Sequence, residues 1–408
     1  MNCRFCKSKV THPFIDLVNS PPSNSFLKVD ELNLPEVFYP LKVYVCDQCF
    51  LVQVDEYKKS DDIFNSEYVY FSSFSTSWLK HSESYVEMMN KRFNLDATSL
   101  AIEIASNDGY LLQYFKNSGV KVLGIEPTAN TAAVAEQKGI VSIVDFFGVR
   151  LADELVAKGV KADVLLGNNV LAHVPDINDF VGGLKILLSN NGVITMEFPH
   201  LLQLIQQNQF DTIYHEHFSY LSLLTVQQIF NKQGLSIFDV EEIPTHGGSL
   251  RIFAAHANDL SKVISPSLNE VLNKELTFGL DNLDTYSNFQ AKANQVKNDF
   301  LLFLLQAKKE NKKVAAYGAA AKGNTLLNYC GIKSDLISFV VDANPAKQNK
   351  YLPGIHIPVF NEQYLKNEKP DYVIILPWNI KHEVIEQLKY IKEWGGRFVT
   401  AVPKLQIV

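Results

Sequence analysis

The sequence predicts an α/β protein in three parts: an N-terminal four-cysteine lobe, a central Rossmann-like sheet, and a smaller C-terminal Rossmann-like α/β domain. Four of the five cysteines lie in the first 60 residues, where helical periodicity is weak. From about residue 80, short apolar strands alternate with helices, as in βαβ units that build a parallel sheet. A long helical stretch over 267–310 interrupts this alternation, which then restarts. We therefore expect three domains, 1–75, 76–310 and 311–408.

The composition is that of an ordinary globular protein of several domains. The chain has 408 residues, of which 47% are hydrophobic and 20% charged, which excludes wholesale disorder. The net charge of −6 argues against a nucleic-acid-binding surface. The apolar runs are too short to span a bilayer, and the first residues show no apolar signal segment. We therefore expect a cytoplasmic protein without nucleic-acid or membrane partners, and the oligomeric state stays open.

The first element is a pair of CxxC knuckles, Cys3-x-x-Cys6 and Cys46-x-x-Cys49. Each knuckle can present two thiolates to one ion, and two knuckles complete a tetrahedron. Zinc is the default ion for four thiolates, an iron–sulfur cluster is the alternative, and buried free cysteines are the interpretation without metal. Four thiolates leave no coordination position open, so the expected zinc is structural. The fifth cysteine, Cys330, lies on a predicted helix and is expected in the core.

The central sheet begins with a strand over 99–105, a helix over 110–118 and a strand over 121–126. The loop Ala105-Ser106-Asn107-Asp108-Gly109 joins the first two, and Glu126 ends the second strand. This is the pattern of a nucleoside-binding βαβ unit, in which the acidic residue takes the ribose hydroxyls. The loop lacks Gly-x-Gly-x-x-Gly, and its carboxylate would repel a pyrophosphate and favour a cationic sulfonium. The pattern therefore favours S-adenosylmethionine over a dinucleotide, with an ordinary βα turn as the alternative.

Further strands over 141–144, 164–166 and 192–197 continue this sheet. Asp145 and Phe146 follow the first of them, where they can flank an adenine ring. Asn168 and Asn169 end the second, at the carboxyl edge where ligands bind in open α/β sheets. Glu197 ends the third and is a candidate for substrate contact.

The end of the central region has its own signals. Thr225 to Gln228 form a capping box that predicts the start of a helix ending at Gly234. Strands over 235–243 and 249–256 then predict an antiparallel pair around a turn that contains His246. The helical stretch that follows is expected to break near Gly279.

The C-terminal part repeats the α/β pattern, with strands over 313–317, 337–342, 372–376 and 397–400 and helices over 323–330 and 381–392. The loop Tyr317-Gly318-Ala319-Ala320-Ala321-Lys322-Gly323-Asn324 joins the first strand and helix. It is not a P-loop, but amides at the helix start and Lys322 can hold a diphosphate. Asp342 ends the next strand, as a ribose-binding acid would. A dinucleotide-binding domain and a purely structural lobe are the alternatives.

Several short motifs are spread over nearly the whole chain. They are Ser23-Asn24-Ser25-Phe26-Leu27, Tyr39-Pro40-Leu41, Leu51-Val52-Gln53, Glu103 to Gly109, Asn169-Val170-Leu171-Ala172-His173-Val174, Tyr214-His215-Glu216-His217-Phe218-Ser219-Tyr220-Leu221, His246-Gly247-Gly248-Ser249-Leu250-Arg251 and Tyr317 to Gly323. Together with the cysteine pairs, they resemble the sugar C-methyltransferase family, which acts on nucleotide-linked 4-keto-deoxy sugars. The resemblance implies a class I methyltransferase sheet, S-adenosylmethionine as cofactor and a structural Zn²⁺.

The resemblance also implies roles for individual residues. His217 would be the general base, Glu216 and Tyr214 would position the sugar or orient the base, and His173 and Tyr70 would line the pocket. The expected cofactor-binding residues are Glu103, Ala105, Asn107, Asp108, Gly109, Glu126, Pro127, Asp145, Phe146 and Asn168. The expected substrate-binding residues are Asn169, Glu197, Tyr317, Gly318, Ala319, Lys322, Gly323, Asn324 and Asp342.

Three other features of the sequence carry weaker expectations. His215 is expected to face away from its neighbour His217, because successive residues of an extended loop point in opposite directions. His246 and Arg251 are weaker candidates for contact with sugar or phosphate. The segment 66–77 is expected to be a flap over the sugar. A second metal site is the alternative interpretation of the histidine-rich loop.

The predicted activity is C-methylation of a nucleotide-diphosphate keto-deoxyhexose at a carbon next to the keto group, carbon 3. The base would remove a proton from that carbon, and the resulting enolate would attack the sulfonium methyl group. An O- or N-methyltransferase acting on a related sugar is the first alternative. A zinc-stabilised NAD-dependent oxidoreductase and a non-catalytic nucleotide-sugar-binding protein are the others.

Overall fold

The computed structural model describes residues 1–59 and 71–408, so Tyr70 lies outside the described residues. The strands are β1 (His12–Ser20), β2 (Tyr39–Val45), β3 (Val52–Val54), β4 (Leu100–Ile104), β5 (Lys121–Ile125), β6 (Ser142–Ile143), β7 (Ala162–Asn168), β8 (Leu188–Pro199), β9 (Ser219–Tyr220), β10 (Leu235–Ile243), β11 (Ser249–His256), β12 (Val314–Tyr317), β13 (Val340–Val341), β14 (Val359–Phe360), β15 (Tyr372–Ile375), β16 (Arg397–Thr400) and β17 (Gln406–Ile407). The α-helices are α1 (Thr76–Phe93), α2 (Leu112–Asn117), α3 (Ala129–Gln137), α4 (Val149–Ala157), α5 (Ile177–Leu187), α6 (Leu201–Gln206), α7 (Leu223–Lys232), α8 (Pro266–Phe278), α9 (Phe289–Lys309), α10 (Ala321–Cys330), α11 (Glu362–Glu368) and α12 (Lys381–Gln387).

The central sheet has the order β10-β11-β8-β7-β4-β5-β6. Strands β4 to β8 run parallel, and β11 is antiparallel to both of its neighbours. The residues of β4 and β7 are almost all buried, as expected for parallel strands that helices cover on both faces. The class I methyltransferase sheet expected from the resemblance is therefore present, including its antiparallel ending.

Helix α7 begins earlier than the sequence predicts. Its N-cap is Ser222, whose hydroxyl accepts from the Thr225 backbone N–H, so the predicted capping box starting at Thr225 is wrong. The Glu275 carboxylate stabilises this earlier start, because it accepts from the backbone N–H groups of Leu223 and Leu224. The Thr225 hydroxyl donates to the Cys49 carbonyl instead, 3.2 Å away.

The N-terminal lobe contains a four-stranded antiparallel sheet of order β1-β2-β3-β9 in the described part of the chain. Its last strand comes from the central region, with Val52 opposite Tyr220 and Gln53 opposite Ser219. The lobe also shares its core with the helical stretch: the ring of Phe14 stacks on that of Phe289 with centroids 4.5 Å apart. The division into domains at 75/76 and 310/311 stays a prediction.

The C-terminal sheet has the order β14-β13-β12-β15-β16-β17, parallel except for β17. The predicted strand over 337–342 is shorter, since β13 has two residues, and the predicted helix over 381–392 continues after α12 as a 3₁₀ helix (Lys389–Trp394). The sequence pattern does not predict strands β9, β14 and β17 or helices α4, α6 and α11. The break near Gly279 is confirmed, because its φ of +91° ends α8. None of the described helices has the length and apolar character that crossing a bilayer requires.

Candidate active site

The four knuckle cysteines bring their sulfur atoms together. All four Sγ atoms lie within 4.8 Å of one another. Cys3 Sγ lies 3.5 Å from Cys49 Sγ, and Cys6 Sγ lies 3.5 Å from Cys46 Sγ. A tetrahedral zinc site with Zn–S bonds of about 2.3 Å has S–S edges of about 3.8 Å, so the donor set fits zinc. Cys330 is buried in the core, as predicted.

A pocket of about 160 Å³ lies at the carboxyl edge of the central sheet. Asn169 and His173 line one part of it. Seven of the ten expected cofactor-binding residues also line it: Ala105, Asn107, Glu126, Pro127, Asp145, Phe146 and Asn168. Glu103, Asp108 and Gly109 are not among the lining residues.

The loop after β4 has an unusual backbone. Ala105, Asn107 and Gly109 have φ values of 56°, 49° and 73°, in the left-handed region that non-glycine residues rarely adopt. Gly109 is required by packing as well, since a Cβ there would lie 2.5 Å from Cδ1 of Ile140. Such strain persists where surrounding contacts hold it and is common in ligand-binding loops.

The Glu126 carboxylate holds this loop in place. Its Oε2 accepts from the Asn107 N–H at 2.8 Å, and its Oε1 accepts from the Thr128 N–H at 2.9 Å and from the Thr128 hydroxyl. Burial raises the pKa of Glu126, while these hydrogen bonds act in the opposite direction. Each carboxylate oxygen has more than one acceptor site, so the group can still accept hydrogen bonds from a ligand.

The electrostatic character of the pocket suits a cation. Its described lining includes the carboxylates of Glu126 and Asp145 but no lysine or arginine. Burial raises the pKa of Glu103, at the base of the loop, well above its usual value, which favours its neutral form and adds no charge to the pocket. The Asp145 carboxylate accepts from Arg150 Nη2 at 2.7 and 2.8 Å, so part of its charge is already neutralised.

His217 is buried and hydrogen-bonded at both ring nitrogens. Nδ1 lies 2.9 Å from the Thr212 carbonyl oxygen, and Nε2 lies 2.9 Å from the Tyr214 hydroxyl. Because a carbonyl oxygen only accepts, Nδ1 carries the proton, and Nε2 of the neutral ring accepts from Tyr214. Burial, reinforced by the neighbouring His173, lowers the pKa of His217 well below its usual value. The side chain is therefore neutral, with a basic nitrogen facing the tyrosine.

His173 connects this loop to the pocket. Its Nδ1 donates to the Glu216 carbonyl oxygen at 2.8 Å, and its ring centroid lies 4.6 Å from that of His217. Burial lowers the pKa of His173 to about 4. Since His173 lines the pocket, it places the neutral imidazole pair next to the pocket.

The other two residues of the loop face the N-terminal lobe. His215 Nε2 lies 3.2 Å from the Pro40 carbonyl, and its ring contacts Tyr39, so it faces away from His217 as predicted. The Glu216 carboxylate accepts from Asn24 Nδ2 at 2.8 and 3.0 Å. Burial raises the pKa of Glu216 to about 7. The sequence placed Asn24 in a family motif but did not predict this contact.

The loop after β12 is organised like the loop after β4. The Asp342 carboxylate accepts from the Ala319 N–H at 2.7 Å, and Gly318 has a φ of 88°. Lys322 Nζ lies 2.7 Å from Asn379 Oδ1 and 4.9 Å from the centroid of the Trp378 ring. Of the other expected substrate residues here, Gly323 and Asn324 are buried in α10, and the Tyr317 hydroxyl donates to Gln387.

The segment beside this C-terminal loop contacts the parts of the chain next to His217 and His246. Trp378 Nε1 donates to Asp211 Oδ2 at 2.7 Å, and a Cβ on Gly247 would lie 2.6 Å from the Trp378 ring. Burial lowers the pKa of His246 to about 4, and the charge of Lys322 acts in the same direction. Lys322 therefore acts electrostatically on the pocket, which His246 also lines.

Glu197 is held by other protein groups. Its carboxylate accepts from Arg251 at 2.9 Å and from the Thr245 hydroxyl at 2.9 Å, and it lies 2.8 Å from His81 Nε2. Burial opposes ionisation, but the His81 hydrogen bond and the Arg251 charge hold the pKa of Glu197 below its usual value. The role of Glu197 in substrate binding stays a prediction. In the alternative role, its carboxylate stabilises this cluster of charged side chains.

Three aromatic residues form one further part of the pocket wall. Trp78 lies between Tyr110 and His246, with ring centroids 6.0 and 5.1 Å away. The sequence does not identify Trp78 or Tyr110 as pocket residues. At the described end of the predicted flap, the Ser72 N–H donates to Asn107 Oδ1 at 2.9 Å.

The chain is similar over its whole length to a curated enzyme, C-methyltransferase NovU from Streptomyces niveus. The two are 32% identical over 406 residues, which cover 100% of this chain and 96% of NovU. The chain belongs to this C-methyltransferase family. The resemblance found in the motifs is therefore confirmed at the level of the family.

Three family models match successive parts of this C-methyltransferase. The model described as "Putative zinc binding domain" matches residues 3–64, "Methyltransferase domain" matches 86–240, and "C-methyltransferase C-terminal domain" matches 244–403. The first match contains all four cysteines of the thiol cluster. The protein is an S-adenosylmethionine-dependent C-methyltransferase with a zinc-binding N-terminal segment.

Two further comparisons cover only part of the chain. Ubiquinone biosynthesis O-methyltransferase of Bartonella quintana (strain Toulouse) is 23% identical over 227 residues, 53% of this chain and 78% of that protein. The solved structure of magnesium protoporphyrin IX methyltransferase from Synechocystis PCC 6803 with bound SAM is 17% identical. That match covers 44% of this chain and 79% of the other, with a TM-score of 0.34.

Proposed function

We propose that the enzyme methylates carbon 3 of a nucleotide-diphosphate 4-keto-deoxyhexose. The observation that carries the proposal is the pair of buried imidazoles of His217 and His173 beside a pocket whose described lining includes two carboxylates. A carbon next to a ketone becomes nucleophilic when a base removes its proton, and a neutral imidazole can do this near pH 7. S-Adenosylmethionine supplies the methyl group on its sulfonium when bound.

His217 acts as the base in this proposal. Its protonated Nδ1 is held by the Thr212 carbonyl, which leaves Nε2 to accept the proton. The Tyr214 hydroxyl, 2.9 Å from Nε2, can donate instead to the developing enolate oxygen once the sugar is bound. Glu216 keeps the loop in place through Asn24. Tyr70, which lies outside the described residues, is still expected to line the pocket.

In this proposal the cofactor pocket binds the methyl donor, and the loop after β12 binds the nucleotide sugar. Glu126 takes the ribose hydroxyls of the methyl donor, and Asp145 and Phe146 flank its adenine. Lys322 and the amides of the loop after β12 hold the diphosphate of the sugar. His246, which lines the pocket beside Trp78, contacts the sugar between them. In this arrangement 76–310 binds the cofactor and 311–408 binds the nucleotide, in a cytoplasmic enzyme.

A panel of nucleotide keto sugars with methyl-labelled S-adenosylmethionine, followed by mass spectrometry, tests the proposal. Each sugar would carry deuterium at carbon 3. We expect a product that gains one methyl group and loses that deuterium. A methylated product that retains all of its deuterium would mean O- or N-methylation or another carbon. No methylation of any keto sugar, with cofactor binding intact, would contradict the substrate class.

A further inference from the structure

Arg4 is a buried cation between two metal-binding cysteines. Its side chain is 9% exposed, yet it lies between Cys3 and Cys6 in the first knuckle. Its Nη1 donates to the Pro175 carbonyl at 2.9 Å, and its Nη2 donates to the Val54 carbonyl at 2.8 Å. The guanidinium also lies over the Phe218 ring, 4.8 Å from the centroid.

These contacts lie next to the two histidines of the active site. Pro175 is two residues after His173, and Phe218 directly follows His217. Val54 belongs to the same connection, because its N–H donates to the Phe218 carbonyl at 3.1 Å. One guanidinium therefore contacts both of the segments whose imidazole rings lie 4.6 Å apart.

The metal-binding knuckle holds the backbone of Arg4. The Arg4 N–H donates to Gln53 Oε1 at 2.9 Å, and Gln53 Nε2 donates to the Cys3 sulfur at 3.3 Å. Asn178 Nδ2 donates to the Arg4 carbonyl at 3.1 Å. The position of the guanidinium therefore depends on the geometry of the thiol cluster.

Stability alone does not explain a charge at this place. The Glu56 carboxylate is 3.8 Å from the guanidinium and 38% exposed, and those of Asp55 and Asp176 act from farther away, so together they offset only part of the cost of burial. An apolar side chain of similar volume fills such a site without that cost. A planar group that donates in two directions while lying on an aromatic ring is suited instead to fixing geometry.

We propose that Arg4 is a positioning residue, which sets the spacing of His173 and His217 from the zinc-binding knuckle. The role of the zinc lobe is then to orient the proposed base, as well as to stabilise the fold. The inference rests on the proposed function for the identity of the base. It extends that function by making methyl transfer depend on a residue that touches neither substrate.

The test compares Arg4→Lys with Arg92→Lys. Arg92 is a matched control, since its guanidinium lies 4.3 Å from the centroid of the Phe253 ring and pairs with Asp239, away from the histidine loop. We expect Arg4→Lys to keep one zinc per chain and normal affinity for S-adenosylhomocysteine. Its kcat should fall about 10- to 100-fold, the effect of small misplacements of reacting groups, with KM for both substrates nearly unchanged. Arg92→Lys should keep wild-type kcat.

A second variant keeps the inference testable if Arg4→Lys fails to fold. Phe218→Leu removes the ring beneath the guanidinium but leaves both of its hydrogen bonds in place. It should reduce kcat in the same pattern by a smaller factor, about 3- to 10-fold. Wild-type kcat in both variants would overturn the inference, and so would a loss of kcat that only follows loss of zinc or of cofactor affinity.

Imidazole NMR separates this inference from the proposed function. The histidine C–H signals are recorded without substrate, so they do not depend on the identity of the sugar. Arg4→Lys should shift the signals of His173 and His217, and Arg92→Lys should leave them unchanged. If the wild type methylates no keto sugar but these shifts occur, the substrate proposal fails and the positioning role stands. Unchanged signals in Arg4→Lys would refute the positioning role whatever the substrate.

Discussion

The two Rossmann-like sheets hold their first loops in the same way, but the first loop itself carries a carboxylate and the second carries a lysine. After β4, the Glu126 carboxylate accepts from the Asn107 N–H at 2.8 Å; after β12, the Asp342 carboxylate accepts from the Ala319 N–H at 2.7 Å. In both sheets an acidic residue at the end of the neighbouring strand fixes the backbone of the loop. The common part of the two loops is therefore architectural.

The difference between the loops lies in the side chains around them. The first loop carries the carboxylate of Asp108, which lies 3.5 Å from Lys138 Nζ, and the described lining of the pocket beside it has acidic residues but no lysine or arginine. The second loop carries Lys322, whose Nζ lies 2.7 Å from Asn379 Oδ1. In both loops a lysine donates to a backbone carbonyl, Lys138 to that of Asp108 and Lys347 to that of Ala319. An acidic surrounding favours a sulfonium and an ammonium group, and a basic one favours a diphosphate. The same backbone design can thus serve two ligands of opposite charge, as long as the side chains differ.

The largest effect is expected at His217, the proposed general base. His217→Asn should reduce methylation about 10²- to 10⁴-fold, the usual consequence of losing a general base, and leave cofactor affinity unchanged. It should also abolish exchange of the carbon 3 hydrogen in deuterated water with S-adenosylhomocysteine bound. Single-turnover kinetics and mass spectrometry measure the two effects.

His215→Asn is the matched control for His217→Asn, because His215 faces Tyr39 and Pro40. It should cost much less activity. A greater loss in His215→Asn would show that the wrong histidine has been assigned. A greater loss of exchange in Glu216→Gln would move the base to that carboxylate, whose pKa of about 7 also suits the role.

A smaller effect is expected at the loop after β4, which is proposed to bind the methyl donor. Glu126→Gln should weaken binding of S-adenosylmethionine about 10- to 150-fold, since hydrogen bonds to a charged acceptor contribute about 1.5–3 kcal/mol. Glutamine is preferable to alanine here because it can still accept from the Asn107 N–H. Calorimetric titration gives the affinity, with the exposed Glu136→Gln as control on the adjacent helix. Equal affinities in the variant and the wild type would place the ribose elsewhere.

The loop after β12, which is proposed to hold the diphosphate of the sugar, provides the converse test. Lys322→Met should raise KM for the nucleotide sugar about 10-fold, from the loss of one charged hydrogen bond, and leave KM for S-adenosylmethionine unchanged. Lys389→Met is the control, since Lys389 is an exposed lysine on the same lobe. If Lys322→Met affects the methyl donor as much as the sugar, the two loops do not divide the ligands as proposed.

The smallest effect concerns pH. Burial holds the pKa of His173 at about 4 and that of His217 well below 6.5, so both stay in the active neutral form as the pH falls. We expect kcat/KM to change less than about twofold between pH 7 and 6, where a free imidazole becomes mostly protonated. A half-loss of kcat/KM near pH 6.5 would show instead that the base titrates as an exposed imidazole or that Glu216, whose pKa is about 7, controls the reaction.

The lowered pKa values of the histidines and the raised pKa of Glu216 have opposite effects on how the free energy of unfolding changes with pH. A histidine whose folded pKa is depressed loses its contribution to stability as the pH falls below 6.5. Glu216, whose pKa is raised to about 7, contributes stability at low pH and loses it as the pH rises from 4.5 through 7. Because the two trends oppose each other, the melting temperature should vary little between pH 5 and 6.5. Differential scanning calorimetry can check this, and a steep slope would mean that one kind of shift dominates.

The sequence predicts the parts of this molecule whose signal is local. Buried parallel strands are short apolar runs between helices, so the central sheet and the C-terminal sheet are visible in the pattern. The spacing of the cysteines predicts the thiol cluster, because a CxxC turn can present two sulfurs to one ion. The loop after β4 and the acid at Glu126 are likewise visible, since they occupy fixed positions in a βαβ unit.

The parts that it does not predict depend on contacts between distant segments. Strand β9 has two residues and no periodicity of its own, so nothing local assigns it to the N-terminal sheet. The start of α7 depends on Glu275, which lies 52 positions after Leu223 in the sequence. The sequence gives no signal for the contacts of Trp78 and Arg4, which become apparent only with His246 and Phe218 in place.

The participation of β9 in the N-terminal sheet has a consequence for synthesis on the ribosome. Strand β3 ends at Val54, and its partner β9 begins at Ser219, 165 positions later in the sequence. At about 5–20 residues per second, the edge of β3 waits roughly 10–30 s for its neighbouring strand. An open strand edge is a site for pairing with other chains, so nascent chains stalled in this interval should be the ones most prone to aggregate.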